Sequence, residues 1–244
     1  MKTKSLIVFS IIACAILIAC KKNKNVEIQI PPVIVTDADL HGWVKEPKGL
    51  ALVDFYAGPS TPLLGKGSMR FTSPDKSIGR LRNTQYSGTP LSSITELSYS
   101  HFIEQRDSTV DANGLHLLAD IDGDGVKDIT IIFEPRYQTG KFVAGTSIPD
   151  QGNSEKNKWQ TWDALHGGWF VFVSTQTDPD HGGVLSSLPD LIKKYPGATI
   201  VNDQTGVGGL RLQAGGPIFS NNFIGYVDNI KIGVNGITTT YDFE

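Results

Sequence analysis

The residues best suited to metal chemistry form one short acidic segment, DIDGDGVKD, at positions 120–128. Carboxylates stand at its first, third, fifth and ninth positions, with a glycine at the sixth and a backbone carbonyl at the seventh. These six residues are Asp120, Asp122, Asp124, Asp128, Gly125 and Val126. Calcium loops present oxygen ligands in this order, and the glycine permits the sharp turn around the ion. The spacing therefore predicts bound calcium as a structural cofactor.

The segment departs from the EF-hand pattern at its twelfth position, where Ile131 stands in place of a bidentate glutamate. Apolar residues alternate before it, at Leu115 and Leu117, and after it, at Ile129, Ile131 and Phe133. This alternation predicts flanking strands, not helices. Because Asp-Gly is also a strong hairpin signal, a calcium loop at a hairpin tip and a plain solvated turn both fit.

Another acid, Asp228, lies in an apolar segment near the C-terminus. Strict alternation places it on one strand face with Ile224, Tyr226, Ile230 and Ile232. A carboxylate on an apolar face must be ion-paired, hydrogen-bonded or metal-bound. Backbone donors satisfy many buried acids, so a metal ligand and a hydrogen-bonded structural residue are both open for Asp228.

Aromatic residues are concentrated in one part of the chain, where Tyr137, Trp159, Trp162 and Trp169 are the candidate ligand-binding residues. Sugar rings offer apolar C–H faces that stack on aromatic rings, and this segment also carries polar side chains for the hydroxyl groups. A sandwich of this size equally needs large core residues. We expect most of these aromatics to lie in the core, with some available to a glycan.

Catalytic motifs are missing from the sequence. It contains no H-E-x-x-H, no G-x-S-x-G and no phosphate-binding loop, and it lacks the E-x-D-x-x-E carboxylate set of sandwich-fold glucanases. The five histidines are scattered, at His41, His101, His116, His166 and His181. We expect a protein without enzymatic activity, although a triad assembled only by the fold stays open.

The elements that must position these residues are short strands. Residues alternate between apolar and polar from Gly67 to Ser73 and from Leu210 to Ala214. One helix is predicted from Ser187 to Tyr195, capped by Ser187 and ended by Pro196-Gly197. Many strands with tight turns predict an all-β fold, an antiparallel two-sheet β-sandwich of the jelly-roll type, over residues 37–244 as a single domain.

Two strand segments resemble a known architecture. Gly225–Ile232 resembles the closing strand of jelly-roll carbohydrate-binding modules and of concanavalin A or laminin-G-like sandwiches, and Gly67–Phe71 resembles an early strand of the same modules. The resemblance implies a jelly roll in which Asp228 ligates a structural calcium. Three longer pieces, residues 81–99, 159–164 and 225–244, resemble secreted bacterial proteins of unassigned function.

The N-terminus has the form of an export signal. Lys2 and Lys4 precede an apolar run from Leu6 to Ala19, which is too short for a transmembrane helix. The run ends at Cys20 in LIAC, which resembles the lipobox of bacterial lipoproteins, so residues 1–19 would be removed and Cys20 lipidated. An ordinary secretory signal with an incidental cysteine is the alternative.

Residues 20–36 would then tether the domain to the membrane. Pro31-Pro32 favours extended backbone there, and the basic run Lys21-Lys22-Asn23-Lys24 favours phospholipid headgroups and the periplasmic face of an outer membrane. The chain has 25 acidic against 22 basic residues, and two of the lysines precede the cleavage site. The mature domain is thus acidic, which argues against nucleic acid as a partner.

Together these patterns predict a non-enzymatic, lipid-anchored module outside the cytoplasm that holds structural calcium and binds a polysaccharide or other glycan. Two alternatives stay open. One is an envelope structural or protein-interaction domain that binds no glycan, and the other is a polysaccharide hydrolase with an unrecognised site.

Overall fold

The computed structural model describes residues 30–107, 113–172, 178–205, 207–216 and 222–244. The predicted signal segment and the lipidation site Cys20 lie outside the described residues. Within them the chain forms two β-sheets and one α-helix, so the predicted two-sheet β-sandwich is confirmed. No helix in this part of the chain has the length and apolarity needed to cross a membrane.

The first sheet, sheet A, has seven strands. They are β1 Val33–Val35, β3 Leu52–Ala57, β4 Gly67–Ser73, β6 Ile94–Arg106, β9 Trp159–Asp163, β14 Phe223–Val234 and β15 Ile237–Phe243. The long strand β14 is central: β6 pairs with one edge of it, and β4 and β15 share the other edge. Beyond these, β9 pairs with β6, β3 with β4 and β1 with β15.

The second sheet, sheet B, has eight strands in the order β11-β10-β8-β7-β13-β5-β2, with β12 paired to the end of β7. The strands are β2 Trp43–Lys48, β5 Ile78–Asn83, β7 Gly114–Asp120, β8 Ile129–Phe133, β10 Gly168–Phe172, β11 Ser186–Ser187, β12 Thr199–Ile200 and β13 Leu210–Gly215. All pairs of named strands except the parallel pair β1–β15 are antiparallel.

The main core fills the space between the sheets because alternate residues of each strand point inward. Met69 and Phe71 from β4 face this space, as do Leu210 and Leu212 from β13, and all four are fully buried. A second, smaller apolar cluster covers part of the outer face of sheet B. Its buried members are Ile132, Tyr137, Val143, Ile148, Phe170 and Leu185.

Several local predictions are confirmed. β4 spans the predicted residues, and β7 and β8 form the hairpin expected around the acidic segment. The helix α1 runs over Leu188–Lys194, and its cap is Ser187, whose Oγ accepts a hydrogen bond from the Asp190 amide at 3.2 Å. That cap satisfies one of the free amides at the helix start.

The domain begins earlier than the sequence indicated. Residues 33–35, assigned to the tether, form β1 and pair with Tyr241–Phe243 of β15. Val35 is fully buried, and its carbonyl accepts a hydrogen bond from the Glu244 amide at 2.9 Å. The Pro31-Pro32 pair precedes this strand, so the extended backbone that suggested a tether instead leads into an edge strand.

Candidate functional site

Asp228 lies on the outer face of sheet A and does not share a face with Ile230 and Ile232, although strict alternation predicted that it would. Val227 and Ile230 are both in the main core, although they are three positions apart. Asn229 between them has a φ of 51°, and the pairing of β14 with β6 shifts register here. This bulge inserts an extra residue and exchanges the faces of the strand. Tyr226 and Asp228 therefore point outward while Ile230 points inward.

The Asp228 side chain is nevertheless fully buried. Its Oδ2 accepts a hydrogen bond from the Leu64 amide at 3.1 Å, and its Oδ1 accepts one from the Phe243 amide at 3.3 Å. Burial raises the pKa of this carboxyl to about 6, against the opposing effect of these backbone donors. Both oxygens are thus engaged with the backbone, which suits the hydrogen-bonded role at least as well as a metal ligand.

Two further acids lie near Gly65: Asp242, which also neighbours Asp228, and Glu244, which neighbours Asp242. Asp242 is buried, its Oδ1 has no hydrogen-bond partner among the described residues, and burial raises its pKa. Glu244 Oε1 accepts a hydrogen bond from the Lys66 amide at 2.9 Å. A Cβ added to Gly65 would lie 2.8 Å from Asp242 Oδ1 and 1.7 Å from Glu244 Oε1. A side chain at this position would have to displace the Glu244 carboxylate, and the φ of 49° at Gly65 also favours glycine.

The outer face of sheet A also carries a row of aromatic rings, which we call the aromatic row. It consists of Tyr56 on β3, Tyr226 on β14, Phe102 on β6 and Trp159 on β9. Successive ring centroids are 5.2, 6.1 and 5.7 Å apart in that order. These separations are those of mutually packed rings, so the row is continuous from β3 to β9 and passes over β4, which lies between β3 and β14.

The two ends of the aromatic row reach solvent. Tyr56 is 39% exposed and Trp159 is partly exposed, whereas Tyr226 and Phe102 between them are buried. The indole Nε1 of Trp159 donates a hydrogen bond to the Pro59 carbonyl at 3.1 Å, which fixes the orientation of its ring.

Charged groups flank the Tyr56 end. The guanidinium of Arg70 lies 4.7 Å from the centre of the Tyr56 ring and binds Asp54 through two hydrogen bonds of 3.0 and 2.6 Å. On the other side, Tyr56 borders a shallow depression whose wall includes Lys66 and Glu244. An aromatic surface with an ammonium group and a carboxylate beside it can contact both the C–H face and the hydroxyls of a sugar.

Three of the four aromatic residues proposed as ligand contacts are buried, which corrects that assignment for them. Trp162 and Trp169 are 1% and 0% exposed and belong to the main core. Tyr137 is 4% exposed and packs on Phe170 in the smaller cluster. Their side chains complete the packing of the domain and present no ring face to a ligand. Trp159 alone among the four has accessible surface.

The acidic segment forms the tip of the β7–β8 hairpin. One carboxylate oxygen from each of Asp120, Asp122 and Asp124 lies within 4.8 Å of the others. Asp128, which was predicted as a fourth ligand, is not part of this group. Its Oδ2 accepts a hydrogen bond from the Ile121 amide at 2.8 Å. Val126 lies in the same tip with a 41% exposed side chain, whereas Asp228 is on the opposite sheet.

Hydrogen bonds within the tip satisfy Asp120 most completely. Its Oδ1 accepts from the Gly123 amide at 2.7 Å and its Oδ2 from the Gly125 amide at 2.8 Å, and these donors lower its pKa. Asp122 and Asp124 each use only one oxygen, toward the amides two residues on. Their other oxygens accept nothing from the described residues, so this donor set suits a hard cation such as calcium. The hydrogen bonds to Asp120 also close this turn without an ion.

Sequence reasoning missed most of the aromatic row. Three of its rings, Tyr56, Phe102 and Tyr226, come from distant parts of the chain, as does Arg70 beside Tyr56. Only the order of strands in sheet A brings these residues together. A partial signal is present in the segment 52–57, LVDFYA, where Asp54 and Tyr56 alternate with apolar residues and so share its polar face.

No protein-family model matches the chain, and no curated protein matches it significantly. Among solved structures it is similar to a β-1,2-glucanase from Parabacteroides distasonis, with a TM-score of 0.39 and 10% identity over 80% of this chain and 23% of that chain. It is also similar to the binding domain of botulinum neurotoxin serotype G, with a TM-score of 0.32 and 11% identity over 81% and 44% of the two chains. The chain thus spans less than half the length of either, and likenesses this distant carry no inference about activity.

Proposed function

We propose that this chain is a lipid-anchored glycan-binding module that works outside the cytoplasm, without catalysis of its own. The aromatic row carries the proposal. It places two solvent-accessible rings, Tyr56 and Trp159, at the ends of one rigid sheet face, with charged side chains beside Tyr56. Binding sites of this kind combine apolar walls with a few oriented polar groups.

The rigidity of the row supports this function. The buried rings of Tyr226 and Phe102 hold the two outer rings in place, and the hydroxyl of Tyr226 donates a hydrogen bond to Glu104. A ligand that binds to fixed rings loses less side-chain entropy than one that must order them. The row therefore suits weak, repeated contacts along a polysaccharide.

Calcium is the proposed structural cofactor, held at the hairpin tip by Asp120, Asp122 and Asp124. The proposal rests on the clustering of their oxygens and on the oxygens left without a hydrogen-bond donor. When bound, the divalent ion would offset two of the three adjacent negative charges and reduce their mutual repulsion. The membrane anchor rests on Cys20 and its apolar leader in the sequence.

A glycan array with the purified protein, in calcium and in EDTA, tests the proposal. We expect binding to at least one polysaccharide, and we expect Tyr56→Ala and Trp159→Ala each to weaken it roughly tenfold or more, since each removes an accessible ring. Phe172→Ala is the matched control, because Phe172 is a 45% exposed aromatic residue on sheet B.

The outcomes separate the candidate functions. Binding to no glycan would reject the proposal and leave an envelope structural or interaction domain. Equal losses in all three variants would also count against the aromatic row. Release of reducing sugar from a bound polysaccharide would show that the protein is a hydrolase.

A further inference from the structure

The outer face of sheet B holds three arginines that the glycan proposal does not use. Arg80 and Arg82 lie on β5 and Arg211 lies on β13, and all three side chains point away from the main core. In the described part of the chain, two carboxylates form ion pairs with them, Glu46 and Asp203. This cluster therefore has an excess of positive charge.

The two carboxylates are occupied by Arg80 and Arg82. Glu46 lies 3.4 Å from Arg80 Nη1 and 2.6 Å from Arg82 Nε, and Asp203 Oδ2 lies 2.6 Å from Arg82 Nη1. The other oxygen of Asp203, Oδ1, accepts hydrogen bonds from the amides of Thr205 and Val207. Neither acid is left to pair with Arg211.

Arg211 has no acidic partner among the described residues. Its Nη2 donates to Nδ1 of His116 at 2.9 Å, and its Nε is enclosed without any acceptor. Its Nη1 donates a hydrogen bond to no acceptor in the described segments. Arg82 stands directly opposite Arg211 in the β5–β13 pairing, and like charges in this position repel. Burial and the charges of Arg80 and Arg82 lower the pKa of Arg211 to about 9, so the guanidinium remains charged at neutral pH.

The neighbours of Arg211 are hydrogen-bonding groups. Since an arginine can only donate, Nδ1 of His116 is the acceptor and the proton of its neutral ring is on Nε2. Burial lowers the pKa of His116 well below its ordinary value, which keeps the ring neutral. Gln213 lies two residues from Arg211 on the same face, and opposite Gln213 is Gly114, which has no side chain. The side chain of Glu134 also borders Gly114.

We propose that Arg211, with Gln213 and His116 beside it, is the centre of an oxyanion-binding site on the outer face of sheet B. A carboxylate or sulfate group would accept hydrogen bonds from the free Nη1 of Arg211 and supply the negative charge that the cluster lacks. Charge-assisted bonds of this kind are among the strongest available to a side chain. The preferred source is the carboxylate of an acidic sugar, a choice that rests on the proposed glycan function, whereas the oxyanion site itself does not.

Calorimetry on the purified protein with three ligands tests the site. Galacturonate and galactose differ in the carboxylate, and inorganic sulfate separates a free anion from an acidic sugar. We expect millimolar or tighter binding of galacturonate, no matching signal with galactose, and a roughly tenfold or greater loss of affinity in Arg211→Gln. Arg136→Gln is the control, because Arg136 is paired with Asp180 away from this cluster.

A measurement of melting temperature distinguishes loss of the binding site from misfolding of the variant. Because Arg211 is repelled by Arg80 and Arg82, we expect Arg211→Gln without ligand to melt at the same temperature as the wild type or higher. A structural role for Arg211 predicts a lower melting temperature instead. Galacturonate should raise the melting temperature of the wild type and not that of Arg211→Gln.

Each result decides a separate claim. Binding of sulfate alone, lost in Arg211→Gln, supports the oxyanion site with an inorganic source. Absence of binding by both anions, or equal binding by wild type and Arg211→Gln, overturns the site. Anion binding in a protein that binds no glycan on the array would reject the glycan proposal and leave the oxyanion site standing.

Discussion

The buried surroundings of Asp228 disfavour the charged form of its carboxyl group. Its carboxyl group is fully buried beside a second buried acid, Asp242, and the amides of Leu64 and Phe243 provide its hydrogen bonds. These donors stabilise the charged form, but burial outweighs them and raises the pKa to about 6. The folded state therefore prefers the protonated acid at mildly acidic pH.

This preference predicts a pH-dependent stability. Between about pH 4 and pH 6 the folded protein holds a proton on Asp228 that the unfolded chain has released, so the contribution of Asp228 to the free energy of unfolding falls as the pH rises through this range. A shift from 3.8 to about 6 corresponds to about 2 to 3 kcal/mol. Burial lowers the pKa values of His101 and His116, which raises the free energy of unfolding as the pH rises over the same range, so these groups oppose Asp228. Denaturant unfolding at pH 4 and pH 7 should therefore show that Asp228→Asn gains about 2 to 3 kcal/mol of stability relative to the wild type between the two pH values.

Asp75→Asn provides the control, because Asp75 is exposed in a turn. It should show the same pH dependence as the wild type. If the stabilities of the wild type and Asp228→Asn change by the same amount between pH 4 and pH 7, the account of Asp228 fails.

At the scale of elements, the hairpin β7–β8 was predictable and the faces of β14 were not. Local alternation specified β4, β7 and β8, and a capping serine with a following Pro-Gly specified α1. For β14, alternation placed Asp228 and Ile230 on one face. The bulge at Asn229 separated them, and the bulge depends on pairing with β6, which the sequence of β14 alone does not show.

The hairpin tip gives a prediction for calcium. We expect isothermal titration with Ca²⁺ to give heat, with a dissociation constant of roughly 10⁻⁴ to 10⁻³ M as in extracellular modules. Asp122→Asn keeps the oxygen that accepts the Asp124 amide but removes one charge, so its affinity should be lower. Asp75→Asn should bind as the wild type does. Absence of heat in the wild type would identify the tip as a solvated turn, and unchanged heat in Asp122→Asn would place the ion elsewhere.

At the scale of the whole molecule, strand order decides what the surface can bind. The sequence indicated that most tryptophans belong to the core, and Trp162 and Trp169 do. The aromatic row and the arginine cluster each combine residues from several strands that are far apart in the chain. Their members are ordinary polar-face residues when each strand is taken alone, so only the pairing of the sheets makes them candidate sites.

The N-terminal boundary of the domain gives the last prediction. β1 contributes the buried Val35 to the core and receives a hydrogen bond from the Glu244 amide, so a fragment of residues 37–244 lacks part of the fold. We expect it to unfold at lower denaturant concentration than residues 30–244, with a loss of about 1.5 to 3 kcal/mol for the buried valine alone. In the longer fragment Val35→Ala should be destabilising, whereas Ile34→Ala should have little effect because Ile34 is 46% exposed. Equal stability of the two fragments would show that β1 is dispensable and that residues up to 36 can act as a free tether, which would increase the reach of the domain from the membrane.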